Sequence, residues 1–229
     1  MRNKLLMLTL LLIPIAGMAQ RKKATVESDT SFYWSVYRNA EKIGDPEVAK
    51  NALYQIIART GNCPACYDSL AHIYYVTGAY SQSSAAAALA GSDKGNKPLL
   101  ELKAYSSRNS GDLKAALAFF ERLEKEYPGP EYIYQQAAIQ FNMERYGECI
   151  MACSGIINDS LSAGKKIVIT YESGKAQEVS YRAAAYNLRG VVFLTTKNKV
   201  KAASDFENAL KLEPDFILAK NNLESANKE

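Results

Sequence analysis

Five stretches of this chain superpose on one another at a spacing of about 34 residues, opening near residues 30, 64, 97, 131 and 183. Each carries a small or apolar residue, an aromatic three positions on, a Gly or loop break, then a second small residue with an apolar one four further. A period of that length is too short for a domain and right for one supersecondary unit. Such a unit cannot bury its own apolar face, so successive units must stack and share a continuous core. The spacing therefore predicts an all-α solenoid of about five helix-turn-helix units, counted as one domain over 30–229.

The last unit is the clearest. Ala183, Tyr186, Gly190, Phe193, Ala202, Phe206, Ala209 and Pro214 fall at offsets 1, 4, 8, 11, 20, 24, 27 and 32. Small residues at 8 and 20 let two helices approach, aromatics at 4, 11 and 24 fill the space between, and Pro at 32 ends the second helix. These marks resemble the tetratricopeptide repeat family. Arg189, where Leu is common, and Val200, where an aromatic is usual, depart from its pattern. The resemblance extends over 30–226 and implies a right-handed superhelix that binds a protein or peptide on its concave face.

Earlier units repeat the marks with losses. From 131 come Tyr134, Ala138 and Phe141, a turn one residue short, then Tyr146, Cys149, Cys153 and Ile156. From 97 come Leu100, Ala104, Gly111, Ala116, Phe120, Leu123 and Pro128; from 64, Tyr67, Ala71, Tyr74, Gly78 and an alanine run over 85–88; from 30, Tyr33, Tyr37, Gly44, Ala49, Leu53 and Ile56. The long step between the fourth and fifth units leaves room for an insertion. Within 163–181 the runs KKIVITYE and KAQEVSY flank Ser173 and Gly174, and β-branched runs about such a turn predict a hairpin. One face of that hairpin would lie on the solenoid, or one edge would accept a partner strand. Residues 216–226 read as a capping helix over the last apolar face.

The first 19 residues obey different rules. Arg2 and Lys4 precede an apolar run over 5–15, and Gly17, Met18 and Ala19 supply small residues at a cleavage site, the pattern of a secretory signal peptide. The run is too short for a membrane span of about 20 apolar residues. The mature chain would open with a tail over 20–29, and its Ala-Gln junction resembles exported proteins of the Bacteroidetes. That reading puts the protein in the periplasm or cell envelope, or outside the cell. Cleavage leaves 26 Lys and Arg against 24 Asp and Glu, scattered together. Nucleic-acid binding, which asks for a clustered basic face, is not indicated.

Four cysteines form two pairs. Cys63 and Cys66 flank Pro64 and Ala65 at a helix start, where a thiol becomes more acidic and more reactive. An oxidising compartment favours a structural disulfide there; a redox pair is the alternative, although the flanks are helical rather than strand-then-helix. Cys149 and Cys153 take the places that Ala and Phe hold in other units, and read as small apolar residues at a helix seam. A zinc site drawing on both pairs is excluded by their separation along a solenoid.

Catalytic constellations are missing. His72 is the one histidine, so two-histidine metal sites and histidine dyads are excluded, and neither a nucleophile elbow nor a phosphate loop is present. The expectation is a protein without enzymatic activity or cofactor. What remains is the surface that the repeat creates. The tetratricopeptide resemblance implies that offsets 2, 5, 9, 12 and 13 line the concave face. They project Trp34 and Arg38, then Asp68, His72 and Tyr75, then Glu101, Tyr105 and Arg108, then Tyr132, Gln135 and Asn142, and last Asn187. Aromatics among Arg and amide side chains suit an extended peptide. The paired lysines and asparagines with which some members clamp a ligand carboxylate are not reproduced. A role as accessory to glycan uptake is a further alternative, for which the chain is short and its aromatics unclustered.

Overall fold

The computed structural model describes residues 15–172 and 174–228, with side chains described from Asp29 onward. Most of the expected signal peptide, 1–14, lies outside the described residues, and α1 (Ile15–Ile43) takes in the backbone of 20–29. There follow α2 (Pro46–Thr60), α3 (Pro64–Val76), α4 (Tyr80–Leu89), α5 (Lys97–Asn109), α6 (Leu113–Glu126), α7 (Pro130–Asn142) and α8 (Tyr146–Asn158). A single 3₁₀ turn over Ser160–Ala163 leads into β1 (Lys166–Tyr171) and β2 (Lys175–Ser180). The chain closes with α9 (Tyr181–Thr195), α10 (Lys199–Leu212) and α11 (Ile217–Asn227).

Local chemistry sets the helix boundaries. Pro46, Pro64, Pro98 and Pro130 occupy first turns, where a missing N–H costs nothing. The side chains of Asp45, Asn96, Asp112, Ser180 and Asn198 each accept a backbone N–H from the residue three on, at 3.0–3.3 Å. Helix α2 stops at Gly61, whose φ of 74° lies in the left-handed region and whose N–H reaches the Ile57 carbonyl at 2.9 Å.

The helices pair as α1/α2, α3/α4, α5/α6, α7/α8 and α9/α10, and each pair packs on the next. The apolar interior runs through the stack in linked packets. Leu53, Ile56, Leu70 and Ala87 share one with Leu99 and Leu102 of the following unit; Leu100, Phe120, Leu123 and Tyr132 form the next, and Ala137, Cys149, Cys153, Ile156 and Val192 another. At the close α11 caps the solenoid through Ala219 and Ala226, while Phe216, just before it, is fully buried.

The fourth unit differs from its sequence reading by one residue. In the third unit Leu99, Ala104, Ser106 and Ser107 are buried; in the fourth Tyr132, Ala137, Ile139 and Gln140 are. The two sets superpose only if the fourth unit opens at Pro130, the first residue of α7. Ala137, not Ala138, is then the small residue at the seam. Cys149, Cys153 and Ile156 fall level with Ala202, Phe206 and Ala209, and the turn between α7 and α8 is no longer short.

The insertion is an antiparallel hairpin, paired from Lys166 opposite Ser180 to Tyr171 opposite Lys175. Alternation decides its placement, since successive side chains point to opposite faces. Ile167, Ile169 and the fully buried Val179 pack into the cluster that holds Ala183, Ala184, Phe216 and Ala219. Val168 on the other face is exposed. The Gln177 amide donates to the Asp215 carbonyl at 2.7 Å and accepts the Ile217 N–H at 3.0 Å, tying β2 to the start of the cap.

Candidate functional site

The first helix of each pair carries the projected residues. On α1, Trp34 is half-buried, edge-on to Tyr37 with ring centres 5.6 Å apart, and Arg38 is exposed. On α3, Asp68, His72 and Tyr75 follow one stripe; His72 is exposed, and Tyr75 is half-buried against Tyr80 at 5.5 Å. On α5, Tyr105 meets Phe120 edge-on at 5.1 Å, and the Arg108 guanidinium lies 5.1 Å from the centre of its ring. Arg108 also donates to the Asn109 side chain at 3.1 and 3.2 Å and to Gln135 of α7. Each of these three helices thus presents an aromatic ring packed edge-on against a second ring, and α5 adds a guanidinium held by its neighbours.

The row thins beyond α5. Tyr132 is 2% exposed, and its hydroxyl donates to Glu101 at 2.5 Å. Burial, then that bond, raises its pKa above the ordinary phenol value, and the Lys97 ammonium lies 5.5 Å from the ring centre. Gln135 is engaged by Arg108. Tyr132 thus faces the preceding unit, as the one-residue shift of α7 requires, and joins two repeats, whereas Gln135 is half-buried beside Arg108. Asn187 is also covered: it is 7% exposed, and its side-chain oxygen accepts from Asn222 of the cap at 2.9 Å. Asn142, the last residue of α7, is exposed. The structure thus leaves Trp34, Arg38, His72, Tyr75, Tyr105, Arg108, Gln135 and Asn142 exposed or half-buried on successive first helices, and buries Tyr132 and Asn187 in the packing.

Sequence reasoning missed an ion pair between helices. Arg189 departs from the repeat pattern, and its guanidinium grips Asp205 of α10 through two bonds of 2.8 Å while donating to Ser154 of α8 at 2.8 Å. The signal was a charge at an interior offset, with an acid at an interior offset of the next helix.

Cys63 and Cys66 are joined as a disulfide at the start of α3, where the Cys63 sulfur also accepts the Cys66 N–H at 3.2 Å. Cys149 and Cys153 are free and buried. Among the described residues no cluster of three or more His, Cys, Asp or Glu side chains is placed to hold a metal, and no helix is long and apolar enough to cross a membrane. Clefts lie between helices. One of about 280 Å³ sits where the α1–α2 turn meets the end of α3, lined by Ala40, Glu41, Gly44, Ile73 and Val76.

No sequence-family model and no curated protein matches the chain. Solved structures do. YrrB, described as a TPR protein with an unusual peptide-binding site, superposes with a TM-score of 0.62 at 16% identity, over 82% of this chain and 89% of that one. A MamA structure gives 0.61 at 14% identity, over 82% and 93%, and a second gives 0.58 at 13%, over 78% and 95%. The fold is the tetratricopeptide repeat. In this tetratricopeptide superhelix α1, α3, α5, α7 and α9 are the first helices of their units, and the row from Trp34 to Arg108 runs along three of them in succession.

Proposed function

We propose that this protein is a protein-interaction scaffold, exported to the periplasm or cell envelope, that holds an extended peptide or a partner's segment along the first helices of its N-terminal three repeats. The observation that carries the reading is the row Trp34, Arg38, His72, Tyr75, Tyr105 and Arg108 on α1, α3 and α5. Large amphipathic rings and a guanidinium immobilised by packing give contact area with little rotamer entropy left to lose, which is what binding hot spots need. The description of YrrB as carrying a peptide-binding site supports a peptide as the ligand class. The leader over 1–19 supports export.

A displayed library of unstructured peptides tests the binding. Peptides selected by the parent should lose at least tenfold in affinity on a variant carrying Tyr75→Ala, Tyr105→Ala and Arg108→Ala with unchanged circular dichroism. Equal affinity for the two proteins would remove the row as the site. Export is checked separately, by N-terminal sequencing of the protein recovered from the envelope fraction, which should begin at Gln20.

A further inference from the structure

The two sulfurs of the Cys63–Cys66 disulfide stand in unlike surroundings. Cys66 is fully buried in the first core packet, among Leu70, Ala71 and Leu99. Cys63 is half-buried at its margin, and the two residues of the loop between them, Pro64 and Ala65, are exposed. One cysteine is partly accessible, and the other is shielded. Cys63 is also the N-cap of α3, and its sulfur accepts the Cys66 N–H at 3.2 Å. An amide donor and a helix N-terminus stabilise a thiolate more than a thiol, so the same position that is attacked also holds the charge once it is released. Its setting differs from that of Cys149 and Cys153, which are both fully buried.

Position along the repeat completes the argument. Ala65, Asp68, His72 and Tyr75 lie three or four residues apart on α3, one stripe of a helix. The disulfide loop is therefore the head of the stripe that carries the middle of the aromatic row.

We infer that Cys63–Cys66 is a thiol-exchange centre that oxidises a pair of cysteine thiols in an extended polypeptide. A thiolate of the partner attacks the Cys63 sulfur; the disulfide breaks, and its electron pair leaves on the Cys66 sulfur, which takes up a proton. The partner's second thiolate then attacks its own sulfur in the mixed disulfide, and the pair leaves on Cys63. Two electrons and two protons pass from the partner's thiols to Cys63 and Cys66, and the partner keeps the disulfide. The polypeptide nature of the substrate rests on the proposed binding row; the exchange chemistry does not.

The test uses the full chain with defined probes. Mixed with a short synthetic peptide bearing two reduced cysteines, the parent should yield one equivalent of oxidised peptide as its own disulfide is lost, followed by alkylation and mass spectrometry. Glutathione disulfide then separates the sulfurs: a Cys66→Ala variant should gain one glutathione on Cys63 at least tenfold faster than a Cys63→Ala variant gains one on Cys66. Circular dichroism controls the fold of both, and the parent measurement needs no variant. A parent disulfide that survives excess reduced peptide, or equal rates for the two variants, overturns the proposal and leaves a staple on the first turn of α3. Peptide oxidation that is unchanged in the Tyr75→Ala, Tyr105→Ala, Arg108→Ala variant overturns the row's share in substrate binding alone.

Discussion

The second and third repeats meet across a joint of neutral hydroxyls, whereas the fourth and fifth meet across a joint of charge. At the first, Ser83 of α4 donates to the Ala71 carbonyl at 2.8 Å and shares a 2.7 Å bond with Ser106 of α5, all three buried. At the second, Arg189 of α9 bridges Ser154 of α8 and the buried carboxylate of Asp205. The connections differ as well: seven residues, 90–96, link α4 to α5, and twenty-two, 159–180, link α8 to α9. Loop-closure entropy grows so slowly that the longer link costs only about 1 kcal/mol more. The hairpin offsets that by burying Val179 against the last repeat, so a tetratricopeptide stack accepts a long insertion provided that the insertion brings its own apolar face. What the charged joint adds is sensitivity, because a buried ion left single is far costlier than a hydroxyl left single.

The largest expected effect breaks the charged joint from one side. Arg189→Leu restores the residue that the repeat pattern favours, yet it strands Asp205, whose side chain is 6% exposed. Loss of about 3–5 kcal/mol is expected, read as the shift of a urea midpoint. Adding Asp205→Leu to that variant should recover most of the loss, because hydrophobic replacement of both members of a buried pair is often neutral. A single variant as stable as the parent would show that the pair contributes nothing to the joint.

Next in size is a steric test of the same region. A Cβ at Gly190 would lie 2.6 Å from the ring of Phe206, which is fully buried, whereas Ala71 and Ala104 hold the equivalent place at the earlier joint. Overpacking costs about 1–3 kcal/mol, and better helix propensity returns about 1 kcal/mol. Gly190→Ala should therefore destabilise by at most about 2 kcal/mol in thermal unfolding, and Phe206→Leu in the same chain should relieve part of the strain. At the neutral joint Ser83→Ala leaves the Ser106 hydroxyl without its bond and should cost about 1 kcal/mol; the pair of alanines should cost less than the two single changes summed.

These joints show what a sequence of this kind discloses. Helices, pairing, hairpin and cap were all legible, because 3.6-residue and two-residue periodicities follow directly from which face is buried. The register of α7 was not. Ala137 and Ala138 are both small, so the period alone could not choose between them, and the choice moved Tyr132 from a surface into a seam. Asn187 was misplaced for a different reason: its cover comes from Asn222 of the cap, thirty-five positions on, a helix that follows the last full unit and carries no repeat marks of its own. On α1, α3 and α5 the ring contacts stay within one unit, Trp34 with Tyr37, Tyr75 with Tyr80 and Tyr105 with Phe120, so the register of one unit was enough to project them. Arg189 was visible as an exception, but its partner could be named only once α9 and α10 lay side by side.

The smallest effect probes how the short link of the first joint is held. Asp93, in the loop between α4 and α5, accepts from Lys103 of α5 at 3.1 Å and from Arg122 of α6 at 2.9 and 3.3 Å. The Arg122 bonds, opposed by burial and helped by Lys103, hold its carboxyl below the ordinary value of 3.8. A carboxyl with a depressed folded-state pKa adds stability that is present above the unfolded value and disappears as pH falls through the folded one. Asp93→Asn should therefore lower the melting temperature at pH 6 by an amount that corresponds to about 1 kcal/mol or less, and the gap between parent and variant should close as the pH falls below 3.8. The charged joint gives the contrast, since Arg189→Leu should keep its full deficit at pH 6 in the Asp93→Asn background. A gap that persisted down to pH 2.5 would mean that Asp93 acts through the shape of its loop and not through its charge.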